Sequence, residues 1–488
     1  MDWDNRTASP SGKEDCYRRD TAVTIYISSG NRANMAVHQT ETFTLTATGD
    51  AILTREISPY VGVADEFDDL VSLLREADAS VTNLEVTVHD YEPAPAATSG
   101  GTYMRGPPKV LDELTALGCN MFSAATNHSY DFGPEGVVRT LGELEQRDIV
   151  YAGLGHTLYE ARRPQYLETP AGRVAIVSAC SSISAGSSAG EQTRALRGRP
   201  GINPLSVDTV YHLPEPEMEQ LRELSEKAGI ETMKQSWRDR GLGYGHDWDE
   251  AEYFHFGDLK FDAVSNESEA GIAYDIDSAD RQAITDWIAE ADRTADWVVA
   301  SLHTHQGVEG RQTTAETPDF VTEFAHDCVD SGADIFLSHG PHVLRGIEVY
   351  DGAPIFYSLG NFIVQTETVE RLPPENYNRY GLDDYTKVSG TSETRFFDSE
   401  GEQTGDLASS AYWETIVPRC TFDATDGLES VELFPCSLQE DAGRPQRGIP
   451  VLAEEDRAGR ILTNLADLSE PFGTTIDREG TVGEVQLE

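Results

Sequence analysis

The sequence predicts an α/β layered fold, and three observations support this prediction. Short apolar runs with strand-like spacing alternate with segments of helical spacing along most of the chain. Polar residues able to bind metal ions directly follow several of these apolar runs, as they do at the carboxyl ends of strands in open α/β sheets. No internal repeat is visible, so the pattern does not indicate a solenoid.

The amino-terminal part of the chain contains the clearest alternation of strand and helix. We expect strands over Phe43 to Gly49, Ala79 to Val86, Asn120 to Thr126, Ile149 to Gly153 and Arg173 to Cys180. Helical spacing occurs over Phe67 to Ala77, Lys109 to Leu117 and Glu135 to Arg147. Two prolines precede the second of these helices, in agreement with the tolerance of proline in a first helical turn.

The pattern resumes after Ser278, which is a suitable cap for a helix that reaches Asp292. A buried strand is predicted over Trp297 to Leu302, a helix over Thr317 to Asp330 and another strand from Asp334 to Ser338. The dipeptides Asp351-Gly352 and Asp426-Gly427 lie between apolar runs and predict hairpin turns. The strands expected around the second turn are Ala411 to Phe422 and Leu428 to Phe434, and a final helix is expected over Asp456 to Leu468.

Less regular stretches define the predicted domain organisation. Residues 1–40 are expected to be a disordered amino-terminal extension, and Met35 has the context of a natural start. One main domain is predicted over 41–475, with a substrate-side insertion at 181–275 and a surface excursion at 366–408. Residues 409–475 hold the carboxyl-terminal strands and helix, and 476–488 form a polar tail.

The composition restricts the class of protein. The chain has 85 acidic and 37 basic residues and a formal charge of −48, spread along its whole length, which excludes a nucleic-acid-binding role and favours an acidic, salt-adapted surface. No apolar run is long enough to span a membrane, and the first forty residues lack the apolar core of a secretory signal. We therefore expect a cytoplasmic protein, with a role outside the cytoplasm left open.

Candidate metal ligands lie at or just after the ends of the apolar runs. Five of the twelve histidines fall on three such loops, together with carboxylates and an amide. The candidate metal ligands are Asp50, Glu85, Asn127, His303, His339 and His342, with His305 as an alternative to His303. Mixed oxygen and nitrogen donors suit Mn, Fe, Zn or Ni rather than a thiolate site.

This set of side chains is suited to hydrolysis of a phosphoester. Two divalent ions held close together stabilise both the attacking and the leaving oxygens of a phosphoryl transfer. A nearby histidine that does not bind metal can protonate the leaving oxygen.

Several short segments in a fixed order resemble the CapA-type family of poly-γ-glutamate capsule biosynthesis proteins, which is similar to calcineurin-like metallophosphoesterases. The segments are GD at Gly49, NLE at Asn83, NH and DFGPEG at Asn127 to Gly136, YAGLG at Tyr151, HGPHVLRGIEVY at His339 and IFYSLGNF at Ile355. The resemblance covers about Phe43 to Phe362, and ILTNLADLSEPFGT near Ile461 is similar to the end of that family. It implies a sandwich of two mixed β-sheets flanked by helices, in α-β-β-α layers.

The resemblance also implies roles for single residues. Asp50 is expected on one metal, Glu85 as the bridging carboxylate and Asn127 as an amide ligand, while His303, His339 and His342 complete the site and His128 is the general acid. This chain departs from the family pattern at three places. Ile52 stands where the phosphoesterases have a histidine, His303-Thr304-His305 replaces HWG, and SHGPH replaces GHHPH.

Additional residues are candidates for contacts with an anionic substrate. They are Arg55, Arg105, His305, Arg345 and Asn361. The arginines are suited to clamp phosphate or carboxylate groups in a chain with few basic residues, although pairing with the many surface acids is the favoured explanation.

Two functions fit the sequence. The first is a metal-dependent phosphoester hydrolase with an anionic small-molecule or polymer substrate, linked by the resemblance to synthesis of capsular poly-γ-glutamate or a related polymer. The alternative is a non-catalytic scaffold or carrier in a complex with other polymer-synthesis proteins, in which Ile52 leaves one metal site weak. A nucleotide-binding regulator is disfavoured, because the chain has no phosphate-cradling glycine motif.

Overall fold

Two β-sheets stack face to face, and helices cover their outer faces. The structure is a computed structural model that describes residues 42–241, 253–383, 385–425 and 427–487. The α/β fold in α-β-β-α layers that the sequence predicts is therefore confirmed. The predicted extension at 1–40 lies outside the described residues.

The strands of the described residues are numbered in chain order. The first twelve are β1 (Thr42–Ile52), β2 (Ala79–Leu84), β3 (Thr87–Val88), β4 (Arg105–Gly106), β5 (Met121–Ser123), β6 (Val150–Ala152), β7 (Leu154–Gly155), β8 (Gln165–Thr169), β9 (Gly172–Cys180), β10 (Gly201–Ile202), β11 (Val207–Pro214) and β12 (Phe254–Phe256). The others are β13 (Leu259–Val264), β14 (Gly271–Ile276), β15 (Trp297–His303), β16 (Ile335–His339), β17 (Ile347–Tyr350), β18 (Ala353–Phe356), β19 (Asn361–Val364), β20 (Glu414–Asp423), β21 (Gly427–Ser437), β22 (Val451–Leu452), β23 (Ile476–Glu479) and β24 (Val482–Val485).

The α-helices of the described residues are numbered in the same way. They are α1 (Asp65–Glu76), α2 (Lys109–Leu117), α3 (Gly133–Gln146), α4 (Leu158–Arg162), α5 (Glu215–Lys227), α6 (Ile230–Asp239), α7 (Ser278–Asp292), α8 (Asp319–Asp330), α9 (Pro374–Arg379), α10 (Val388–Phe396) and α11 (Glu455–Ser469). Asp277 caps α7 by accepting hydrogen bonds from two backbone N–H groups, so the cap is one residue before the predicted Ser278.

The first sheet has the strand order β23-β24-β21-β20-β1-β2-β5-β6, with β19 beside β1 and β22 beside β21. Its central strands β1, β2, β5, β6 and β19 run parallel, while β20 and β21 form an antiparallel hairpin. The second sheet has the order β17-β18-β16-β15-β9-β8, and β9, β15, β16 and β18 are parallel. Helices connect β1 to β2, β2 to β5, β5 to β6 and β15 to β16, which is the usual connection for parallel strands, whereas β16 reaches β18 through β17.

The main core lies between the two sheets. Leu45 and Val81 from the first sheet meet Ile176 and Val299 from the second in one buried cluster. Phe43 and Trp297 stack across this layer with ring centroids 5.1 Å apart. Two further clusters lie on the outer faces, where α1 and α2 cover the first sheet and α7 and α8 cover the second. Burial on both faces explains why β9 and β15 are almost continuously apolar, whereas β1 alternates apolar residues with buried threonines.

The predicted insertion at 181–275 contains more regular structure than its sequence suggested. Strands β11 to β14 form a four-stranded sheet in the order β12-β13-β11-β14, and α5 and α6 pack against it and against each other. The charged composition of this region masked the alternation, because most of its strand residues are only half buried. Its role on the substrate side stays a prediction.

Two other regions differ from the expected irregular structure. The excursion at 366–408 contains the short helices α9 and α10. The expected polar tail contains the hairpin of β23 and β24, and the second of these strands pairs with β21. No helix of the described residues is long and apolar enough to cross a membrane.

Candidate metal centre

The candidate ligands converge where the parallel strands of the two sheets end. Asp50 lies opposite Asn83 and Asn361 in the strands that flank β1, and His303 lies opposite His339 in the second sheet. The carboxyl ends of these strands share one edge of the sandwich, so residues far apart in sequence meet in one place.

Close packing around Gly49 determines the position of Asp50. A Cβ atom at Gly49 would lie 2.0 Å from the carbonyl oxygen of Gly360, so only glycine allows the two segments to approach. Asp50 then donates its N–H to that carbonyl at 3.0 Å, and the strand register shifts immediately after it. This hydrogen bond and register shift direct the Asp50 carboxylate into the protein, where it is fully buried.

Glu85 lies among three imidazoles. Its Oε1 atom is 3.9 Å from Nε2 of His303, 4.0 Å from Nε2 of His305 and 4.0 Å from Nε2 of His128. Glu85 is fully buried, and neither of its carboxylate oxygens has a hydrogen-bond partner in the described residues. A buried carboxylate without partners carries a large desolvation cost, which a cation at this position would remove.

Asp50 forms a second group with Glu85 and His342. The Oδ2 atom of Asp50 lies 3.2 Å from Nδ1 of His342, and its Oδ1 atom accepts a hydrogen bond from Asn83 at 2.9 Å. Ligand atoms of Asp50, Glu85 and His342 lie within 4.8 Å of one another, as do those of Glu85, His303 and His305. Glu85 belongs to both groups.

Unpartnered buried atoms provide the test of whether a metal centre fits. Those at this edge of the sandwich are Asn83 Oδ1, Glu85 Oε1 and Oε2, Asn127 Oδ1, His303 Nε2 and His305 Nε2. Buried polar atoms of folded proteins almost always have partners, so this concentration needs an explanation. Carboxylate, amide and imidazole donors are ligands for divalent transition metals, and the donor set therefore fits the predicted cofactors.

The pKa values of the imidazoles agree with a ligand role. Burial, opposed in part by the Asp50 carboxylate, lowers the pKa of His303 to about 3. Burial and the neighbouring histidines lower the pKa of His305 well below its usual value. Both rings are neutral near pH 7, which is the form that binds metals. Burial, with Asp50 and Asp131 nearby, raises the pKa of Glu85 well above its usual value.

His339 does not join these groups. Its Nε2 atom donates to the carbonyl of Thr48 at 3.2 Å, and its Nδ1 atom is 3.4 Å from the Ser301 hydroxyl. Both ring nitrogens therefore have partners within the protein and connect the second sheet to β1, and the ligand role of His339 stays a prediction. The adjacent Gly340 has φ +107°, and a Cβ there would lie 2.6 Å from the Thr304 carbonyl, so no other residue fits beside it.

Asn361 supports His342 from behind rather than facing a substrate. Its Oδ1 atom accepts from Nδ1 of His342 at 2.9 Å, and its amide nitrogen donates to the carbonyls of His342 and Tyr412. This contact fixes the orientation of the imidazole and leaves Nε2 as its ligand atom.

His128 lies beside the groups and is held by Asp131. The Nδ1 atom of His128 donates to Oδ2 of Asp131 at 2.7 Å, so Nε2 is the atom nearest Glu85. Asp131 in turn accepts N–H bonds from Met104 and Gly100. The neighbouring Asn127 donates its amide to the Gly100 carbonyl and keeps Oδ1 unpartnered.

A cavity of about 830 Å³ opens onto the histidines. Asn127, His128, His305 and His342 line it together with Ile52, which stands where the resemblance expects a histidine. Residues of the predicted insertion and of the 366–408 region form other parts of the wall. Asn127, His305 and His342 are thus accessible to a small molecule.

The three candidate arginines lie outside the cavity lining. Arg55 donates to the carbonyls of Arg444 and Pro445 at the surface, and Arg105 pairs with Asp90 and Glu370. Arg345 is fully buried and donates to the carbonyls of Gln306 and Thr314. None of the three lines the cavity, so the structure does not support their predicted contact with a substrate.

Sequence reasoning missed three residues of this site. Asn83 bonds Asp50, Asp131 holds His128, and the buried ring of Tyr412 packs edge-on against His342 at 5.8 Å. Asp131 follows His128 by three residues in a tight turn, which is a local signal that was available. Tyr412 comes from a segment that is distant in sequence, and no local pattern indicates its place.

Comparison with known proteins gives the family. Residues 44–366 match the family model described as bacterial capsule synthesis protein PGA_cap. The uncharacterized protein y4sH of Sinorhizobium fredii is 31% identical over 459 residues, which cover 93% of this chain and 95% of that protein. The PGA biosynthesis protein CapA of Bacillus subtilis is 42% identical over 85 residues, which are 17% of this chain and 21% of that protein.

A longer but weaker match is to the capsule biosynthesis protein CapA of Bacillus anthracis. It is 21% identical over 330 residues, or 67% of this chain and 60% of that protein. The match to the family model spans more than half of the chain and includes all the residues that form the metal-ligand groups. The chain belongs to the PGA_cap family of bacterial capsule synthesis proteins.

Proposed function

We propose that the chain is a metal-dependent hydrolase of a phosphoester or related anionic group, acting in the synthesis of a capsular polymer such as poly-γ-glutamate. The observation that carries the proposal is Glu85, whose carboxylate is buried, unpartnered and about 4 Å from the Nε2 atoms of three histidines. The names of two relatives, which refer to PGA and capsule biosynthesis, support the pathway.

Two divalent ions have suitable ligands here. Glu85, His303 and His305 would hold one ion, and Asp50, Glu85 and His342 the other, with Glu85 shared between them. Asn127 offers a further amide oxygen. When bound, such ions supply Lewis-acid activation of a phosphoryl group and of the attacking water.

His128 has the geometry of a general acid. Asp131 orients the ring through Nδ1, so that Nε2 can deliver a proton towards the cavity. The leaving oxygen of a substrate bound beside Glu85 would receive this proton. Asp131 accepts two backbone N–H bonds as well, which keeps the pair in place.

The proposal is tested by metal analysis followed by a substrate panel. We expect about two ions of Mn, Fe, Zn or Ni per chain after purification and dialysis, and turnover of a phosphomonoester or phosphodiester with Mn²⁺ added. His156→Ala, which changes an exposed histidine outside the cavity, is the matched control and should retain the metals. A metal-free protein without turnover in the panel would contradict the proposal.

A scaffold or carrier role is the second candidate, and a specific observation favours it. Ile52 lines the cavity where the resemblance expects a histidine ligand, and the conformation of Gly340 leaves no room for a side chain at that position. In that role the protein would assemble with other polymer-synthesis proteins and keep at most a structural metal. Metal binding without turnover across the panel would favour this candidate.

A further inference from the structure

The charge of the cavity wall does not suit a polyanionic ligand. Among the described residues that line it, Asp208, Asp277 and Asp406 are acidic, and Arg395 is the cationic side chain besides the histidines. Arg395 already donates to the Thr102 hydroxyl at 3.1 Å. A chain of closely spaced negative charges would lie beside these carboxylates with little to compensate it.

Two charged side chains at or near the wall, Lys260 and Asp277, already have partners within the protein. Lys260 lies behind Asp208, with its Nζ atom 2.5 Å from that carboxylate. Asp277 uses its carboxylate to cap α7. Neither arrangement provides a cation for an anionic chain, whereas carboxylates readily accept hydrogen bonds from hydroxyl groups.

Neutral polar and aromatic groups form much of the remaining wall. Ser184, Thr209, Gln312 and Thr313 contribute hydroxyl and amide groups. Tyr211, which projects from β11, also lines the cavity and stacks on Phe261 with centroids 5.2 Å apart. That stacking fixes the ring, so it can serve as a rigid platform for a flat apolar surface.

We infer that the cavity takes a phosphorylated saccharide, with its phosphoryl group at the metal centre and its neutral sugar body against Tyr211, rather than a polyanionic chain. A sugar ring presents C–H groups on its face and hydroxyls at its edge, which match an aromatic platform surrounded by hydrogen-bonding groups. This inference rests on the proposed function, because the metal centre defines where the phosphoryl group binds.

Binding of phosphonates by calorimetry tests the inference, since a phosphonate cannot be hydrolysed and the measurement needs no turnover. The probes are methylphosphonate, a hexose phosphonate, a nucleoside phosphonate and an oligomer of γ-glutamate, each added to the Mn²⁺-supplemented protein. We expect the hexose phosphonate to bind at least about tenfold more tightly than methylphosphonate. The γ-glutamate oligomer should bind more weakly than either.

The Tyr211→Ala variant isolates the sugar contact. It should remove the affinity gain of the hexose phosphonate and leave the affinity for methylphosphonate unchanged. Tyr385→Ala is the matched control, because this ring is 93% exposed and does not line the cavity. Circular dichroism and the unchanged methylphosphonate affinity establish that Tyr211→Ala is folded.

The outcomes separate this inference from the proposed hydrolase. Equal or tighter binding of the γ-glutamate oligomer or the nucleoside phosphonate would overturn it, as would a hexose phosphonate that binds no better than methylphosphonate. Preferential binding of the hexose phosphonate without turnover of any phosphoester supports the saccharide assignment while contradicting hydrolysis. Turnover of phosphoesters without a preference for sugars does the reverse.

Discussion

Carboxylates at the two ends of the parallel strands differ in their hydrogen-bond partners. At the amino ends, Asp78 accepts two hydrogen bonds from Thr44, and Asp334 accepts the N–H of Val298 at 2.7 Å. At the carboxyl ends, Glu85 has no hydrogen-bond partner in the described residues. The three side chains carry the same chemical group, but Glu85 alone among them has no partner.

This difference separates structural acids from candidate ligands. A carboxylate that accepts backbone N–H bonds stabilises the connection between strands, and its loss leaves a donor without a partner. A buried carboxylate without partners destabilises the fold unless a cation or a ligand is bound. In a chain with 85 acidic residues, this criterion identifies the site better than residue type does.

The largest effect is expected for Glu85→Gln, which should abolish metal binding at both groups. Glu85 is shared between the two groups, and glutamine keeps the size of the side chain while removing its charge. We expect the metal affinity to fall by more than about 100-fold, measured by elemental analysis after gel filtration. Glu432→Gln, at a surface pair with Arg419, is the control and should retain the metals.

The next effect concerns turnover at His128. His128→Ala should lower turnover by roughly 10²–10⁴ and keep the metals, because the residue is expected to donate a proton rather than bind metal. The assay needs a substrate with an alkoxide leaving group, since a nitrophenolate leaves without a proton. If His128→Ala loses metal as completely as Glu85→Gln does, then His128 is a ligand.

At the opposite end of the strands, Asp78→Ala should destabilise the protein by about 1–3 kcal/mol. The substitution leaves the N–H of Thr44 without its acceptor in a partly buried position. Chemical denaturation in the presence of a chelator measures the change in the free energy of unfolding.

Glu85→Gln gives the contrasting result in the same denaturation experiment. Because the substitution replaces an unpartnered buried carboxyl with a neutral amide of the same size, the metal-free variant should be at least as stable as the metal-free wild type. Equal destabilisation by Asp78→Ala and Glu85→Gln would contradict the proposed difference between the two ends of the strands.

The smallest effect is the pH dependence from Asp334. Burial raises the pKa of this carboxyl from 3.8 to about 6, so between these values the folded state binds a proton that the unfolded state does not. Its contribution to stability is therefore present at low pH and is lost as the pH rises through about 6. Between pH 5 and pH 7 this amounts to about 1 kcal/mol.

Asp334→Asn should remove this part of the pH dependence, as measured by denaturation at several pH values. Asp78 has the same hydrogen-bonding role at the neighbouring sheet, so Asp78→Asn is a suitable comparison. An unchanged pH profile in Asp334→Asn would show that another group is responsible.

Candidate ligands could be predicted from the sequence where a local pattern places them near a strand end and the sheet topology brings the strand ends together. Asp50 lies two residues before the end of β1, Glu85 follows β2 and His303 ends β15, and parallel strands bring their carboxyl ends to one edge. The same reasoning included His339, because spacing does not reveal that both of its nitrogens are used by Thr48 and Ser301. It also included Arg55, whose partners lie almost four hundred residues away.

The sequence by itself determined the layered α/β fold, the family and the strand ends from which the site is built, because hydrophobic periodicity and short motifs are local properties. Only the tertiary structure decided which polar atoms remain without partners. That property depends on contacts between segments distant in sequence, such as Asn361 behind His342 and the Thr48 carbonyl bonded to His339. Hydrogen bonds of this kind form between segments that meet only after folding, so no local pattern records them.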